Sequence, residues 1–262
     1  MIPLFDSLTH PTLTGKWSNG KNLNASFSLL GERLDKENFS HALAVGLHNV
    51  ENYSHQEFID ECNKYPKLIP IAGYDVHIKD YEHELENIKQ LGYSGIKIHP
   101  RFSGLNYSDN NLNAVFKYCG NIGLVVMYCT YAHSSLINYP VKDPFYSFVE
   151  YAKGCENTKI ILVHGGDVEL LKYAELVRFN FNIILDLSLT IMKYKNSSLD
   201  LDISFLFNNF DKRICIGSDH PEYSHKELRE RCDFFFKGLI EEKKKNIAYL
   251  NLINFFQLSV DE

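Results

Sequence analysis

Short apolar runs recur along the chain at 2–8 (IPLFDSL), 42–47 (ALAVGL), 68–74 (LIPIAGY), 94–99 (SGIKIH), 123–129 (GLVVMYC), 159–164 (KIILVH), 182–188 (NIILDLS) and 213–218 (RICIGS). Most are continuous rather than alternating, as strands buried on both faces of a parallel sheet are. The stretches between them are amphipathic with helix start signals. Ser54-x-x-Glu57 and Ser224-x-x-Glu227 fit capping boxes, and Asp143-Pro144 sets a capping carboxylate before a proline at the first helical position. Helices are expected over 55–65, 80–91, 109–121, 145–155, 167–179, 199–209, 225–240 and 244–258. Eight strands alternating with helices predict an α/β fold of the (β/α)8 TIM-barrel type, one domain over 1–262. An open doubly wound sheet competes, but it usually has fewer strands, and no G-x-G-x-x-G follows the first strand. The longest excursion, 11–41, holds Trp17, Gly15, Gly20 and Gly31. It reads as a lid over the strand carboxyl ends or as an embellishment with its own short helix.

Composition narrows the class of partner. The 262 residues are 45% hydrophobic and 23% charged, enough for a sizeable core, and the net charge is -6. No basic stripe is present to neutralise phosphates, which argues against a nucleic-acid partner. The opening MIPLFDSL has neither the basic region nor the apolar length of a signal or membrane segment, so a cytoplasmic protein is expected. Six cysteines without a C-x-x-C pair point to reduced thiols rather than to a zinc ribbon or a disulfide scaffold. Triplets such as Asn106-Tyr107-Ser108 would matter only in a secreted chain. The expected partner is a small-molecule substrate, and assembly into a homo-oligomer is left open.

Chemistry in a parallel barrel gathers at the carboxyl ends of the strands, where alternate residues point inward. Strand one ends in Asp6, Leu8 and His10, which share parity and are expected on one side. Strand four ends in Lys97, His99 and Arg101, again in phase. Strand five ends in Cys129-Thr130, strand six in His164-Gly165-Gly166, and strand eight in Gly217-Ser218-Asp219-His220-Pro221. A single histidine is more often a satisfied core residue than a ligand. That reading weakens when three strands end in histidine and a fourth in aspartate. His41, His48, His55, His77, His83, His133 and His225 fall elsewhere and read as surface or structural.

In order and at barrel spacing, these pieces resemble the amidohydrolase superfamily, in its amidohydrolase-2 branch of TIM-barrel metal-dependent hydrolases. The matching stretches are Phe5 through His10, Gly95 through Pro100, Lys159 through Gly166, Asn182 through Ser188, Gly217 through Pro221 and Asn251 through Leu258, so the resemblance covers nearly the whole chain. It implies a metal site, and here the ligand set is degraded. The family's first strand usually ends in H-x-H, whereas this chain has Leu8 and only His10. Its fifth strand usually ends in a histidine, whereas this chain has Cys129.

Three functional readings follow. In one, His10, Cys129, His164 and Asp219 hold at most one metal ion, zinc above all, and the metal-bound water attacks an amide, ester or lactone. In the second the metal is gone and Asp219 activates water directly, with Lys97, Arg101 and His164 stabilising the oxyanion, as in a metal-free lactonase. In the third the barrel is decarboxylase-like or binds a ligand without chemistry. Hydrolysis of a small carboxylate- or sugar-like substrate ranks first. Asp219, His164 and Lys97 are the expected catalytic groups. His99, Arg101, His220 and Tyr128 are the expected substrate contacts. Asp219 is expected to remain ionised among cations and, apart from Asp6, to be the only strand-end carboxylate.

Overall fold

The computed structural model describes residues 1–17, 22–105, 111–135 and 142–259; Gly20 and the triplet Asn106-Tyr107-Ser108 lie outside them. Eight parallel strands are hydrogen-bonded in sequence order: β1 (Leu4–Thr9), β2 (Phe39–Val45), β3 (Leu68–Gly73), β4 (Gly95–Ile98), β5 (Val125–Cys129), β6 (Ile160–Val163), β7 (Ile183–Asp186) and β8 (Ile214–Cys215). Parallel bridges Asp6–Ile216 and Thr9–His220, with the bond Ser7 N–H to Ile216 O at 2.9 Å, join β8 to β1 and close the barrel. Each apolar run of the sequence contains one of these strands in whole or large part.

The helices form the outer ring: α1 (Phe27–Lys36), α2 (His55–Cys62), α3 (Tyr81–Gln90), α4 (Pro100–Ser103), α5 (Asn111–Ile122), α6 (Pro144–Ala152), α7 (Leu170–Phe179), α8 (Thr190–Lys193), α9 (Leu199–Asn209), α10 (His225–Phe236), α11 (Glu241–Lys245) and α12 (Asn251–Phe256). The capping box expected at Ser224 is complete, with Glu227 reaching back to the Ser224 N–H. At Ser54 the side chain caps Glu57 N–H. The 11–41 excursion contains α1, which packs with Phe27, Leu30 and Leu34 buried. The first crossover helix of the barrel thus lies within the stretch where the sequence suggested a lid or an embellishment with its own short helix.

Side-chain alternation sorts the core into two clusters. Phe5, Leu43, Val45, Ile69, Ile71, Val125, Met127, Ile161, Val163, Ile184 and Cys215 fill the barrel, floored by Leu252 and Ile253 of α12. Their neighbours Leu4, Ala42, Ala44, Ile96, Ile98, Val126, Tyr128, Ile160, Leu162, Leu185 and Ile214 face the helices. All six cysteines are free and buried. Among the described residues no helix is long and apolar enough to cross a membrane.

Candidate active site

The β-strand alternation that puts Val125 and Met127 inside the barrel also puts Cys129 inside, and on β4 it does the same for Gly95, Lys97 and His99. Other strand ends need backbone devices. On β1 the pairing with β2 slips between Asp6 and Thr9. A one-residue slip moves side chains to the other face. Phe5 therefore fills the barrel while Asp6 faces the helix layer, and Leu8 rejoins the interior cluster. The expected common face of Asp6, Leu8 and His10 is thus corrected: Leu8 and His10 point in, Asp6 does not.

After β6, His164, Gly165, Gly166 and Asp167 all take positive φ, at 69°, 58°, 82° and 56°. A Cβ on Gly166 would lie 2.0 Å from the Tyr173 ring, so only glycine fits there. The reversal lets His164, which follows outward-facing Leu162 by parity, line the cavity. Leu189 after β7 and Asp219 after β8 also have positive φ, at 61° and 55°. Such strain in non-glycine residues costs about 1–3 kcal/mol each and gathers where function requires it.

These ends surround an open cavity of about 560 Å³ whose lining includes His10, His99, Arg101, His164, Lys193, Asp219 and Glu222. Lys97 lies just beneath, 2% exposed, and among the described residues its Nζ has no hydrogen-bond partner. The tautomers of the three histidines follow from their neighbours. His10 Nδ1 lies 2.9 Å from Val45 O, and His164 Nδ1 lies 3.0 Å from Ser188 O. A carbonyl only accepts, so both Nδ1 atoms donate and both Nε2 atoms are bare acceptors. His99 is reversed. Its Nδ1 accepts from Phe102 N–H at 3.3 Å, which leaves an Nε2–H 3.7 Å from Cys129 Sγ.

Burial, and then the charge of Lys97, lowers all three imidazoles; His10 falls to about 3, and His99 and His164 fall well below the ordinary histidine value. They are neutral at physiological pH. Burial pushes the Cys129 thiol up, against the pull of Lys97. Burial lowers Lys97 itself, while Cys129, Asp219 and Asp186 favour its charged form. Asp219 Oδ1 is 3.7 Å from His10 Nε2. Burial raises its carboxyl to about 7, with Lys97 opposing and Glu222, Asp186 and Asp6 assisting. The expectation of a simple ionised Asp219 is therefore corrected to a group that titrates near neutrality.

Two expected substrate contacts lie elsewhere. Tyr128 points outward and packs on Phe116, Phe148 and Tyr151. His220 is wholly buried, with Nδ1 3.3 Å from Arg33 Nη1 of α1 and its ring 5.5 Å from that of His225. Arg101 does line the cavity, its guanidinium 4.8 Å from the Tyr131 ring centroid.

Sequence reasoning missed several residues. Lys193 shares the Tyr131 ring at 4.4 Å and lies 2.9 Å from its hydroxyl. Trp17 stacks on His10 at 5.6 Å and donates its indole N–H to Glu222 at 2.7 Å. Asp186 ends β7 inside the barrel, where it accepts bonds from the Ser7 and Ser188 hydroxyls, Ser188 N–H and His164 N–H. Tyr131 is in phase with Cys129, and Asp186 with Ile184, so period-two counting carried past the strand ends would have found both.

The family resemblance implies a metal, and the donors do not fit one. Among the described residues no three His, Cys, Asp or Glu side chains come together in a metal-holding group. Leu8 offers no donor, and His99 offers a hydrogen rather than a lone pair, one that lies 3.7 Å from Cys129 Sγ. A lysine amine lies among the remaining candidates.

No family model and no curated protein matches the chain. Solved structures do. An uncharacterized TIM-barrel protein from Bordetella bronchiseptica superposes with a TM-score of 0.79 at 14% identity, over 98% of this chain and 99% of that one. A protein assigned as a 2-pyrone-4,6-dicarboxylic acid hydrolase in Pseudomonas putida gives 0.69 at 14% identity over 100% of both chains. An amidohydrolase from Burkholderia multivorans crystallised with zinc gives 0.72 at 11% identity, over 98% and 100%. At these identities the likeness is one of fold, and the fold is the TIM barrel that the sequence predicted.

Proposed function

We propose that this chain is a hydrolase of the amidohydrolase-2 type that opens a lactone or a comparably activated ester on a small carboxylate-bearing substrate, without a metal. The carrying observation is Asp219. It is a carboxylate without a hydrogen-bond donor among the described residues, tuned to about 7, and it faces a cavity beside a buried amine that also lacks a partner. A general base works best when its pKa lies near the operating pH.

The residues divide the work. Arg101 and Lys193, cations at the cavity wall, hold the substrate carboxylate. Lys97 supplies the positive charge, and His99 Nε2–H a donor, toward the carbonyl oxygen as it becomes an oxyanion. Asp219 takes a proton from water as the water oxygen attacks the carbonyl carbon. The ring oxygen departs with that proton, returned by Asp219, and the product is a hydroxy acid. His10 Nε2, a bare acceptor 3.7 Å from Asp219, orients the same water. A ring ester needs no better leaving group than this apparatus supports, which is why a lactone is favoured over an amide. The neighbour assigned to pyrone dicarboxylic acid hydrolysis supports the same class, since a pyrone is a cyclic ester.

The test is hydrolysis by chelator-treated protein across small lactones and aryl esters, with and without a carboxylate. Turnover should favour the carboxylate-bearing cyclic esters. Turnover of none of them, or equal turnover by Asp219→Asn, removes the reading.

A further inference from the structure

The arrangement around Lys97 carries an inference beyond the reaction. His10 and His164 are held as metal-binding histidines usually are, with Nδ1–H tied to a backbone carbonyl and Nε2 aimed into the site. Asp219 stands 3.7 Å from the first of them. This is a cradle shaped for a cation, yet its donors do not close into a metal group. The alternation of β4 sends the Lys97 side chain into the same space, where Nζ is buried with no hydrogen-bond partner among the described residues. Lys97 is also the one charge felt by all of His10, His99, Cys129, His164 and Asp219, and in each case it is the largest charge effect.

We infer that the Lys97 ammonium occupies the place of a metal ion, so that the side chain itself excludes a divalent cation and its removal converts the cradle into a metal site. The argument is steric and electrostatic. A divalent ion beside an ammonium in a dry site meets a strong repulsion, because little solvent screens the two charges. Two imidazole nitrogens and a carboxylate are, by number and kind, what a catalytic zinc site requires from protein, with the fourth position left to water. Taking away the amine leaves those three donors and vacates the volume of a four-carbon chain inside the barrel. The inference rests on the metal-free reading of the site but is tested without any substrate.

Wild type, Lys97→Ala and the longer, uncharged Lys97→Met are each incubated with one equivalent of zinc, desalted and analysed for zinc, and each is melted with and without the metal. Wild type should retain well under one zinc per chain and show no zinc-dependent rise in Tm. Lys97→Ala should retain close to one zinc and melt higher in its presence, and adding His10→Ala or Asp219→Ala should abolish both effects. Lys97→Met guards against a misfolded alanine variant, because it keeps most of the packing and should bind zinc more weakly but measurably. Cobalt(II) in place of zinc should give the visible absorption of a four-coordinate site only in the Lys97 variants. A full equivalent of zinc on wild type, lost with His10→Ala, overturns the inference; so does a folded pair of Lys97 variants that binds none. Wild type that hydrolyses esters only with zinc would sink the inference together with the metal-free part of the proposed function and leave only hydrolysis standing. The expected zinc pattern in a protein that hydrolyses nothing would do the reverse.

Discussion

Two carboxylates at the ends of neighbouring strands meet opposite fates. Asp6, 0% exposed, accepts hydrogen bonds from Leu8 N–H at 3.1 Å, Ser218 N–H at 2.9 Å and Ser218 Oγ at 2.5 Å, and its Oδ2 is 3.1 Å from His225 Nε2. Asp186 is as well supplied. Asp219, 9% exposed, has among the described residues only a histidine nitrogen at 3.7 Å. Anchored carboxylates of this kind hold loops in place. Asp6 fixes Ser218, which fixes the exit from β8, which aims Asp219. A carboxylate left short of donors, beside an amine left short of acceptors, is costly to the fold. Such cost is found where a ligand supplies what is missing. The comparison teaches that the proposed base and the anchored acids here differ in satisfaction, not in residue type, strand position or burial.

The largest expected effect lies on the unsatisfied side. Asp219→Asn should fold normally, bind substrate and lose about two to four orders of magnitude in kcat, the usual worth of a positioned base. The same substitution tests the cost to the fold. A carboxyl raised to about 7 in the folded chain contributes stability that is full below its unfolded value near 4 and lost as pH rises through about 7. Asp219→Asn should therefore match wild type at pH 4 and exceed it at pH 8 by up to ~4 kcal/mol in urea unfolding. Equal stability at both pH values would show that Asp219 is as well supplied as Asp6, and the contrast would vanish.

The opposite pattern is expected of Asp6→Asn. It can keep Oδ1 as the acceptor for Leu8 N–H and Ser218 N–H, but it puts an amide NH2 where Oδ2 accepts from Ser218 Oγ and meets His225 in a buried site, so stability should fall by ~3 kcal/mol. Turnover per folded molecule should stay within a few-fold. A kcat loss as large as that of Asp219→Asn, at intact stability, would place Asp6 in the chemistry. Next in size comes Arg101→Met, which keeps the packing against Tyr131 and Phe102 but not the charge. KM for a carboxylate-bearing ester should rise about ten-fold or more, the worth of a charge-assisted bond, with kcat little changed. An ester without the carboxylate should show no change in KM.

How much of this was legible in the sequence follows from the same physics. Continuous apolar runs gave all eight strands, because strands buried on both faces cannot alternate with polar residues. Simple alternation gave Lys97, His99 and Cys129 their inward direction correctly. It failed where the backbone departs from the ideal strand. The slip in β1 turned Asp6 outward, and the left-handed residues after β6 turned His164 inward, although Gly165-Gly166 hinted at such a reversal. Tyr128 was misread as a substrate contact although its neighbour Cys129 was read as pointing in, which by alternation sends Tyr128 to the helices. His220 was carried along by Asp219, whereas the turn after β8 parts them toward opposite sides. Lys193 and Trp17 reach the cavity from beyond the strands, where strand periodicity has no reach. The titration of Asp219 depends on burial and on groups 33 and more residues away in sequence, such as Asp186, and only the folded chain assembles those.

The smallest effect is the most discriminating about why Asp219 titrates where it does. Glu222 follows Asp219 by three residues, lines the same cavity, and is the largest of the negative charges that raise the Asp219 carboxyl. Its Oε1 accepts the indole N–H of Trp17 at 2.7 Å, so a glutamine there keeps an acceptor for the indole and with it the stacking of Trp17 on His10. Glu222→Gln thus removes a charge while keeping the indole contact. With that charge gone, the ionised form of Asp219 becomes easier to reach, and its pKa must fall. If ionised Asp219 is the base, kcat/KM rises with pH through a midpoint near 7 in wild type, and in Glu222→Gln the midpoint should move to lower pH by less than about one pH unit, with the plateau height unchanged within about two-fold. The size is bounded because burial, not Glu222, is the leading cause of the raised value. A midpoint that moves to higher pH would contradict the loss of a negative charge beside the titrating group, and Glu222 would then not act on the base as a neighbouring charge. A midpoint that does not move at all, in a variant whose Trp17 fluorescence matches wild type, would mean that the profile reports a group remote from Glu222, and the assignment of Asp219 as the titrating base would fall.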